Sequence, residues 1–506
     1  MNSPNILFVL TDQMRHDAIE ALGNPIIRTP VLNGLVESGV TFERAYTACP
    51  VCVPARYALH VGQLPHRTGV VENTVMPEGR TSFMEVLRDQ GYQTFGAGKM
   101  HFTFPGTGRA SMWGFEERAI CDSPVHAQND FYKNTRAHGY THVHDLKGVR
   151  GEMYYIPQVS QLPAHLHHSA WTADSSIDFL RRRDSNRPFF MMTSFEKPHP
   201  PFEPPVPWNK LYRGPDMPHA HVPADSDALL TLWNRFQNRY KYRDRGQDAN
   251  LIRQLKAYYY AEVSFVDYSL GRVFAEMQRL GLYDDTLVIF TSDHGELLGD
   301  YGSFGKRCFL DAAARVPLLM KYPGCTRGQR CAQPASLVDV FPTVLEYAGA
   351  SCSQECDGTS LIQLAEGASD RTVIRGQYEA GEYANYMRLD GQFKYVYSVP
   401  DEREFLFDLA KDPGETANRA ENPLYTRKTS EMRTAEIEYY RNEGYMDAIE
   451  GDAWKRYGVK TMPRDPDAYL LFQDPPDSIP QIDGYSTSTS SKEFASFRWY
   501  GDRDLV

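Results

Sequence analysis

Several short stretches of this chain carry side chains that could act together on an anionic ester. Thr11-Asp12-Gln13 and Thr291-Ser292-Asp293-His294-Gly295 put metal-ligand types directly after apolar runs: two carboxylates, an amide carbonyl and an imidazole. In Gly98-Lys99-Met100-His101 a cation and an imidazole alternate, so an extended segment turns both to one side. His199 stands among prolines in Lys197-Pro198-His199-Pro200-Pro201, and Lys306 follows Gly305. Cys52-Val53-Pro54-Ala55-Arg56 adds a thiol and a guanidinium four residues apart. Hydrolysing the ester of a fully ionised anion such as sulfate needs a metal, cations for the anionic oxygens, a nucleophile and an acid for the leaving alkoxide. The sequence offers a candidate for each. Singly, each has an ordinary reading: Asp12 as a helix cap, Lys99 and His101 as a solvated loop, Lys306 as a surface lysine. For Asp293-His294 after a buried strand the balance tips toward function, because polar groups placed together there must be satisfied by something.

The elements that must position these residues follow from periodicity. The apolar run 5–10 predicts a central parallel strand ending at a polar residue, and 93–97, 189–195, 286–290 and 316–320 predict further strands. Helices are predicted at 30–38, from near Pro54 to the Gly62 region, and at 82–90, 170–183 and 337–348. The longest carries Leu255, Tyr259, Val263, Val266, Leu270, Val273 and Met277 as one continuous stripe. Strands alternating with helices predict an α/β fold, a large mixed, mostly parallel sheet flanked by helices. Asp12, His199 and Asp293-His294 then lie at or just past strand ends, where such sheets bind ligands. From about residue 370 short runs (385–389, 394–399, 405–409) and a helix at 425–443 predict a smaller C-terminal antiparallel-sheet subdomain. The expected organisation is a catalytic domain over 1–368, an α+β subdomain over 369–460 and an extended tail over 461–506.

In this order the motifs resemble the sulfatase family of the alkaline-phosphatase-like superfamily. The resemblance runs from about residue 5 to residue 415 and includes Leu406-Phe407-Asp408-Leu409 and Asp412-Pro413-Gly414-Glu415. In that family Cys-x-Pro-x-Arg marks a cysteine for oxidation to formylglycine, so the resemblance implies that Cys52 becomes an aldehyde hydrate after translation. It implies one divalent metal held by Asp12, Gln13, Asp293, His294 and the Cys52 hydrate. One hydroxyl would attack sulfur in line, Arg56 would help to hold the hydrate, and Lys99 and Lys306 would grip the sulfate oxygens. His199 would assist departure of the alcohol. His101 would take the proton of the second hydroxyl, so that the sulfated hydrate collapses to aldehyde and free sulfate. A serine or threonine could not be released that way.

The departures from the family pattern are informative. Many sulfatases have two acidic residues where this chain has Asp12-Gln13, and Asp-Asn where it has Asp293-His294. An all-oxygen shell suits Ca2+, whereas an imidazole nitrogen shifts preference toward Mn2+, and both metals stay open. Asp-Gln, Asp-His and the substrate-binding Asn73 are also similar to phosphonate monoester hydrolases and choline sulfatases. Gly62-Gln63-Leu64-Pro65 and Trp113-Gly114-Phe115-Glu116-Glu117-Arg118 look closest to choline-sulfatase-like sequences. The Gly-Lys-x-His segment is similar to sulfatases and unlike the phosphonate hydrolases. The expected reaction is hydrolysis of a sulfated sugar or small organic sulfate, with a phosphonate monoester or phosphodiester as the alternative. The tail does not resemble that of choline sulfatases, so choline is not carried over. A formylglycine-generating enzyme is the implied maturation partner.

Bulk properties narrow the remaining classes. A net charge of −11 over 506 residues argues against nucleic acid, which wants a basic face. An anionic substrate must therefore be held by local cations. No stretch approaches a membrane span, and Ile6-Leu7-Phe8-Val9-Leu10 has neither a basic segment before it nor a cleavage site after it, so a cytoplasmic protein is expected. The eight cysteines form no zinc-ligand pattern; Cys325/Cys331 and Cys352/Cys356 could pair in an oxidising compartment, and free thiols are expected in a cytosolic protein. Seven of the 15 histidines fall between 126 and 168; their spacing fits no metal pattern, and a substrate-contacting wall is the preferred reading. The tail could cross to a second subunit, making a homo-oligomer.

Overall fold

The computed structural model describes residues 4–102, 112–122, 129–150, 154–242, 246, 248–462 and 464. Its centre is an eight-stranded sheet with strands β1 (Asn5–Thr11), β2 (Val40–Tyr46), β3 (Gln93–Gly98), β4 (Glu117–Ile120), β5 (Phe189–Phe195), β6 (Thr286–Ser292), β7 (Leu318–Lys321) and β8 (Gln329–Ser336). Their order is β4-β3-β5-β1-β6-β7-β2-β8; only β7 runs antiparallel to its neighbours. This is the large, mostly parallel α/β sheet expected.

The apolar runs of β1, β5 and β6 are continuous because both faces of these strands are covered. Leu7, Val9, Met191, Val288 and Phe290 enter one core with the helices Pro30–Ser38, His168–Arg182 and Ala249–Arg279. Ile6, Phe8, Leu10, Met192, Leu287 and Ile289 enter the other, with the helices Cys52–Val61, Phe83–Asp89 and Val340–Ala348. Each fully buried side chain of this kind is worth roughly 1.5–3 kcal/mol against exposure. Register then sets the site: Thr11 pairs with Ser292 and Phe195, and Gly98 with Ser194. The carboxyl ends of four strands therefore finish in one row.

β4 was not predicted, nor were β2 and β8. Glu43 and Arg44 interrupt the one, and the other reads Gln329-Arg330-Cys331-Ala332-Gln333-Pro334, a polar strand at the sheet edge. The second sheet is antiparallel, β12-β11-β10-β9, with β9 (Val373–Tyr378), β10 (Asn385–Asp390), β11 (Phe393–Ser398) and β12 (Arg403–Asp408), and the helix Thr426–Asn442 belongs to the same region. Buried Lys394 of β11 pairs with Asp311, in the segment between β6 and β7, and with Glu415. Only residues 461, 462 and 464 of the expected tail are described, so its proposed role between subunits lies outside the described residues. Among the described residues no helix is long and apolar enough to cross a membrane.

The helix Cys52–Val61 begins on a residue with no capping side chain; Asn73 supplies the cap instead, its Oδ1 accepting the Val53 N–H at 3.0 Å. Pro54 sits in the first turn, where a missing N–H costs nothing. Gly62 closes the helix in the left-handed region, at φ 69°. On this helix His60 is buried among Phe83, Phe102 and Trp113, with ring centroids 5.3–5.6 Å away and no polar partner for either nitrogen.

Burial, with Arg56 and Arg118 adding to it, pushes His60 down to about 3. Since the folded value lies below that of the unfolded chain, the fold excludes a proton that the unfolded chain binds. The stability is present above the unfolded value of 6.5 and is lost as pH falls toward 3, by up to about 1.4 kcal/mol per pH unit. His60→Leu is expected to flatten the fall of urea-unfolding stability on acidification by close to one proton. An unchanged pH profile would show that His60 does not drive acid unfolding.

Candidate active site

Asp12 and Asp293 are the first residues beyond β1 and β6 and are fully buried side by side. The i, i+4 spacing on the opposing helix turns Cys52 and Arg56 onto one face, toward them. Arg56, fully buried, bonds Asp293 Oδ2 from Nε at 2.9 Å and Asp12 Oδ2 from Nη2 at 3.3 Å. Its Nη1 donates to the Lys99 carbonyl at 2.6 Å and Ser194 Oγ at 3.1 Å. These described hydrogen bonds go to the carboxylates and the loop, not to Cys52. Arg56 is therefore the clamp of the acidic pair.

With one oxygen of each carboxylate held by Arg56, the other two face a common point. His294 Nδ1–H donates to the Gly295 carbonyl at 3.1 Å, which leaves the Nε2 lone pair free. That Nε2 lies 3.7 Å from Asp12 Oδ1, 3.5 Å from Asp293 Oδ1 and 3.3 Å from Cys52 Sγ. Ligand atoms of Asp12, Cys52, Asp293 and His294 all fall within 4.8 Å of one another. Two carboxylate oxygens, an imidazole lone pair and a sulfur with no bulky group between them fit a divalent cation. Gln13, at a strained φ of 69°, turns its side-chain carbonyl to Lys306 Nζ, 2.7 Å away, which also bonds the thiol.

The cations gather on the other side of the thiol. Lys306 Nζ bonds Cys52 Sγ at 3.1 Å and Gln13 Oε1 at 2.7 Å, and Lys99 Nζ bonds Asp12 Oδ2 at 2.7 Å. Burial would raise the Cys52 thiol, but Lys306, Lys99 and His294 outweigh it and hold it well below its ordinary range. Burial likewise raises Asp293, helped by the neighbouring Asp12 charge. Lys99 follows a turn that only glycine allows: a Cβ at Gly98, where φ is 96°, would lie 2.0 Å from the Ser194 carbonyl. Asp122 Oδ1 then accepts the Met100 and His101 amides at 2.7 and 2.9 Å, aiming the His101 ring at Cys52.

His199 is also close enough to Cys52 for the thiol to favour its charged form. Its Nδ1–H donates to the Pro200 carbonyl at 2.7 Å, so Nε2 is the atom presented to the site. Burial, then Lys99, lowers its pKa well below the ordinary histidine value. Behind it, Lys197 bonds the His199 and Pro201 carbonyls and pairs with Glu203 and Glu262. The structure thus gathers Asp12, Gln13, Cys52, Arg56, Lys99, His101, His199, Asp293, His294 and Lys306, with Asn73 at the start of the nucleophile's helix.

The histidine-rich segment divides. His167 and His168 are buried, and both donate to Glu203 Oε1, at 3.0 and 3.2 Å, so they support the His199 loop rather than wall the mouth. They form a possible ligand cluster with Glu203, but the Lys197 ammonium, 3.1 Å from Glu203, already supplies the cation there. His138, His142, His144 and His165 are exposed, and His126 lies outside the described residues. Sequence reasoning missed Glu296, Glu196, Lys147 and Asp122. Glu296 lies three residues past Asp293 and Glu196 directly before Lys197-Pro198-His199, whereas Lys147 and Asp122 lie outside the motifs.

The sequence pattern of the family described as "Sulfatase" matches residues 4–350, and that described as "N-sulphoglucosamine sulphohydrolase, C-terminal" matches 299–442. An arylsulfatase of Clostridium perfringens is 29% identical, covering 91% of this chain and 99% of its own. A choline-sulfatase of Rhizobium meliloti is 30% identical, covering 83% of each. The solved phosphonate monoester hydrolase of Agrobacterium radiobacter shares the fold with a TM-score of 0.76 at 24% identity, over 87% of this chain and 96% of its own.

Removing Arg56 leaves two buried carboxylates facing each other. Arg56→Met is expected to lower stability by about 3–5 kcal/mol in chelator, read by urea unfolding. Saturating Mn2+ or Ca2+ should return part of the loss. Wild-type stability in chelator would remove Arg56 from the clamp role.

Proposed function

The chain belongs to the sulfatase family and is a sulfuric ester hydrolase, and we propose that it splits sulfate esters at Cys52, converted to formylglycine, beside one divalent metal. The observation that carries this reading is the surroundings of Cys52 Sγ: Lys306, His294 and Asp12 all lie within 3.8 Å. The thiol stands where the hydrate oxygens would be. Cys52 is 2% exposed, so the maturation enzyme must reach it before the fold closes.

Asp12, Asp293, His294 and the Gln13 carbonyl would hold the metal, which supplies Lewis-acid stabilisation of a nucleophilic oxygen and of sulfate charge. The aldehyde hydrate supplies a second hydroxyl, through which sulfate can be released. Lys99 and Lys306 bring two ammonium groups to the anionic oxygens. His199 Nε2 is a bare lone pair while Nδ1–H is held by the Pro200 carbonyl and the pKa is low. It takes up a proton with the negatively charged sulfate ester and passes it to the leaving alkoxide, and His101 stands where a proton must leave the hydrate. The organic group is a sulfated sugar or small organic sulfate. Gln13 and His294, the residues shared with phosphonate monoester hydrolases, favour phosphonate monoesters as a second substrate class.

Formylglycine-loaded protein is expected to hydrolyse sulfate esters with a larger kcat/KM than the matched phosphonate monoesters; the reverse ranking would favour the second class. Acid assistance matters most for a basic leaving group. His199→Ala should therefore reduce alkyl or sugar sulfate turnover by about 10²–10⁴-fold and nitrophenyl sulfate far less. Equal losses on both would remove His199 from the acid role.

A further inference from the structure

Gln13 occupies a position where an amide can point either end at the metal, and the two ends are opposites: one oxygen that binds a cation, one NH2 that repels it. Its surroundings decide between them. The side-chain NH2 donates to Glu296 Oε2, and the carbonyl Oε1 accepts from Lys306 at 2.7 Å. Glu296 is fully buried and is not a candidate ligand of the metal group. Besides Gln13, it accepts from the Tyr155 hydroxyl at 2.8 Å, the Leu298 N–H at 2.9 Å and the Gly305 N–H at 2.5 Å. Four donors converge on two oxygens. That is the full acceptor capacity of a carboxylate.

We propose that Glu296 is a positioning residue that turns the Gln13 carbonyl toward the metal and fixes the Lys306 loop on the same carboxylate. This rests on the metal reading above. The negative charge that an aspartate at position 13 would put in contact with the metal is here set one residue back, behind the amide. Gly305 N–H is bonded by the same Glu296, so the backbone that carries Lys306 and the amide that Lys306 bonds share one anchor.

Replacing Glu296 by glutamine makes a definite prediction. The two backbone N–H groups of Leu298 and Gly305 claim the new carbonyl oxygen, so the new NH2 must face Gln13. Two NH2 groups cannot bond each other, and Gln13 must turn over. Its NH2 then meets the Lys306 ammonium and the metal. The reciprocal pair Gln13→Glu with Glu296→Gln restores one acceptor opposite one donor, with the Tyr155 hydroxyl free to rotate and accept.

The test is calorimetric titration of chelator-treated, formylglycine-loaded protein with Mn2+, alongside thermal melts without metal. Glu296→Gln should weaken Mn2+ binding by about 10–100-fold, the usual scale for a group that orients a ligand. The reciprocal double variant should recover most of that loss. Should Glu296→Gln alone fail to fold, the double variant must still fold and bind Mn2+. Unchanged affinity in Glu296→Gln, or a double variant no better than the single, would overturn the assignment of Glu296 alone. Wild-type protein that binds neither Mn2+ nor Ca2+ would overturn the metal reading and this assignment together.

Discussion

Two carboxylates held together out of water are the constraint on which the rest of this site depends. Asp12 and Asp293 are fully buried, with ligand oxygens within 4.8 Å of each other. At an effective dielectric near 20 their repulsion is roughly 3–4 kcal/mol before any desolvation cost. The parallel pairing of β1 and β6 forces the proximity, because Thr11 and Ser292 are register partners and the next residue on each strand is the acid. Arg56 offsets it from the opposing helix by holding one oxygen of each. What remains is a pair of oxygens aimed at one point, which is what a divalent cation needs.

The electrostatic balance around that point explains how an acidic protein can hold an anion. Arg56, Lys99 and Lys306 are buried with two carboxylates bonded to them, Asp12 and Asp293, and a third, Glu196, at 4.0 Å from Lys99. Added metal would make the centre more positive still, while the whole chain carries −11. Attraction is therefore confined to a few ångströms and to a dry interior, where salt screens little. The next layer keeps each cation where it is. Glu196 lies 4.0 Å from Lys99 and pairs with Lys147, which in turn donates to the Cys121 and Asp122 carbonyls at 3.0 Å. Lys197, with Glu203 and Glu262, does the same for the segment that carries His199.

Much of this was legible in the sequence, for physical reasons. Strands covered on both faces must be continuously apolar, so β1, β5 and β6 announced themselves, and with them the row of strand ends where Asp12 and Asp293 emerge. Cys52 and Arg56 are four apart because a helix turns such positions to one side. The inner strand β2, the edge strand β8 and the strand β9 were hidden by Glu43, Arg44, Gln329, Arg375 and Gln377, which solvent or the second sheet accommodates. Partner groups were hidden too. Glu296, Glu196 and Asp122 work by accepting hydrogen bonds from residues distant in sequence, and no local spacing reveals such a partner. Glu296 left the one available trace, an acidic residue in the otherwise uncharged Gly295-Glu296-Leu297-Leu298-Gly299. The clamp that Arg56 puts on the acidic pair was hidden for a related reason: the helix spacing gives its direction, but only the fold shows that both carboxylates meet it.

The central claim is that the nucleophile is made from Cys52, and the mass of the peptide containing it tests that most directly. Protein synthesised together with a formylglycine-generating enzyme should yield this peptide roughly 18 Da lighter than the thiol form, as conversion of thiol to aldehyde requires. An unmodified Cys52 in protein that still hydrolyses sulfate esters at the full rate would contradict the account.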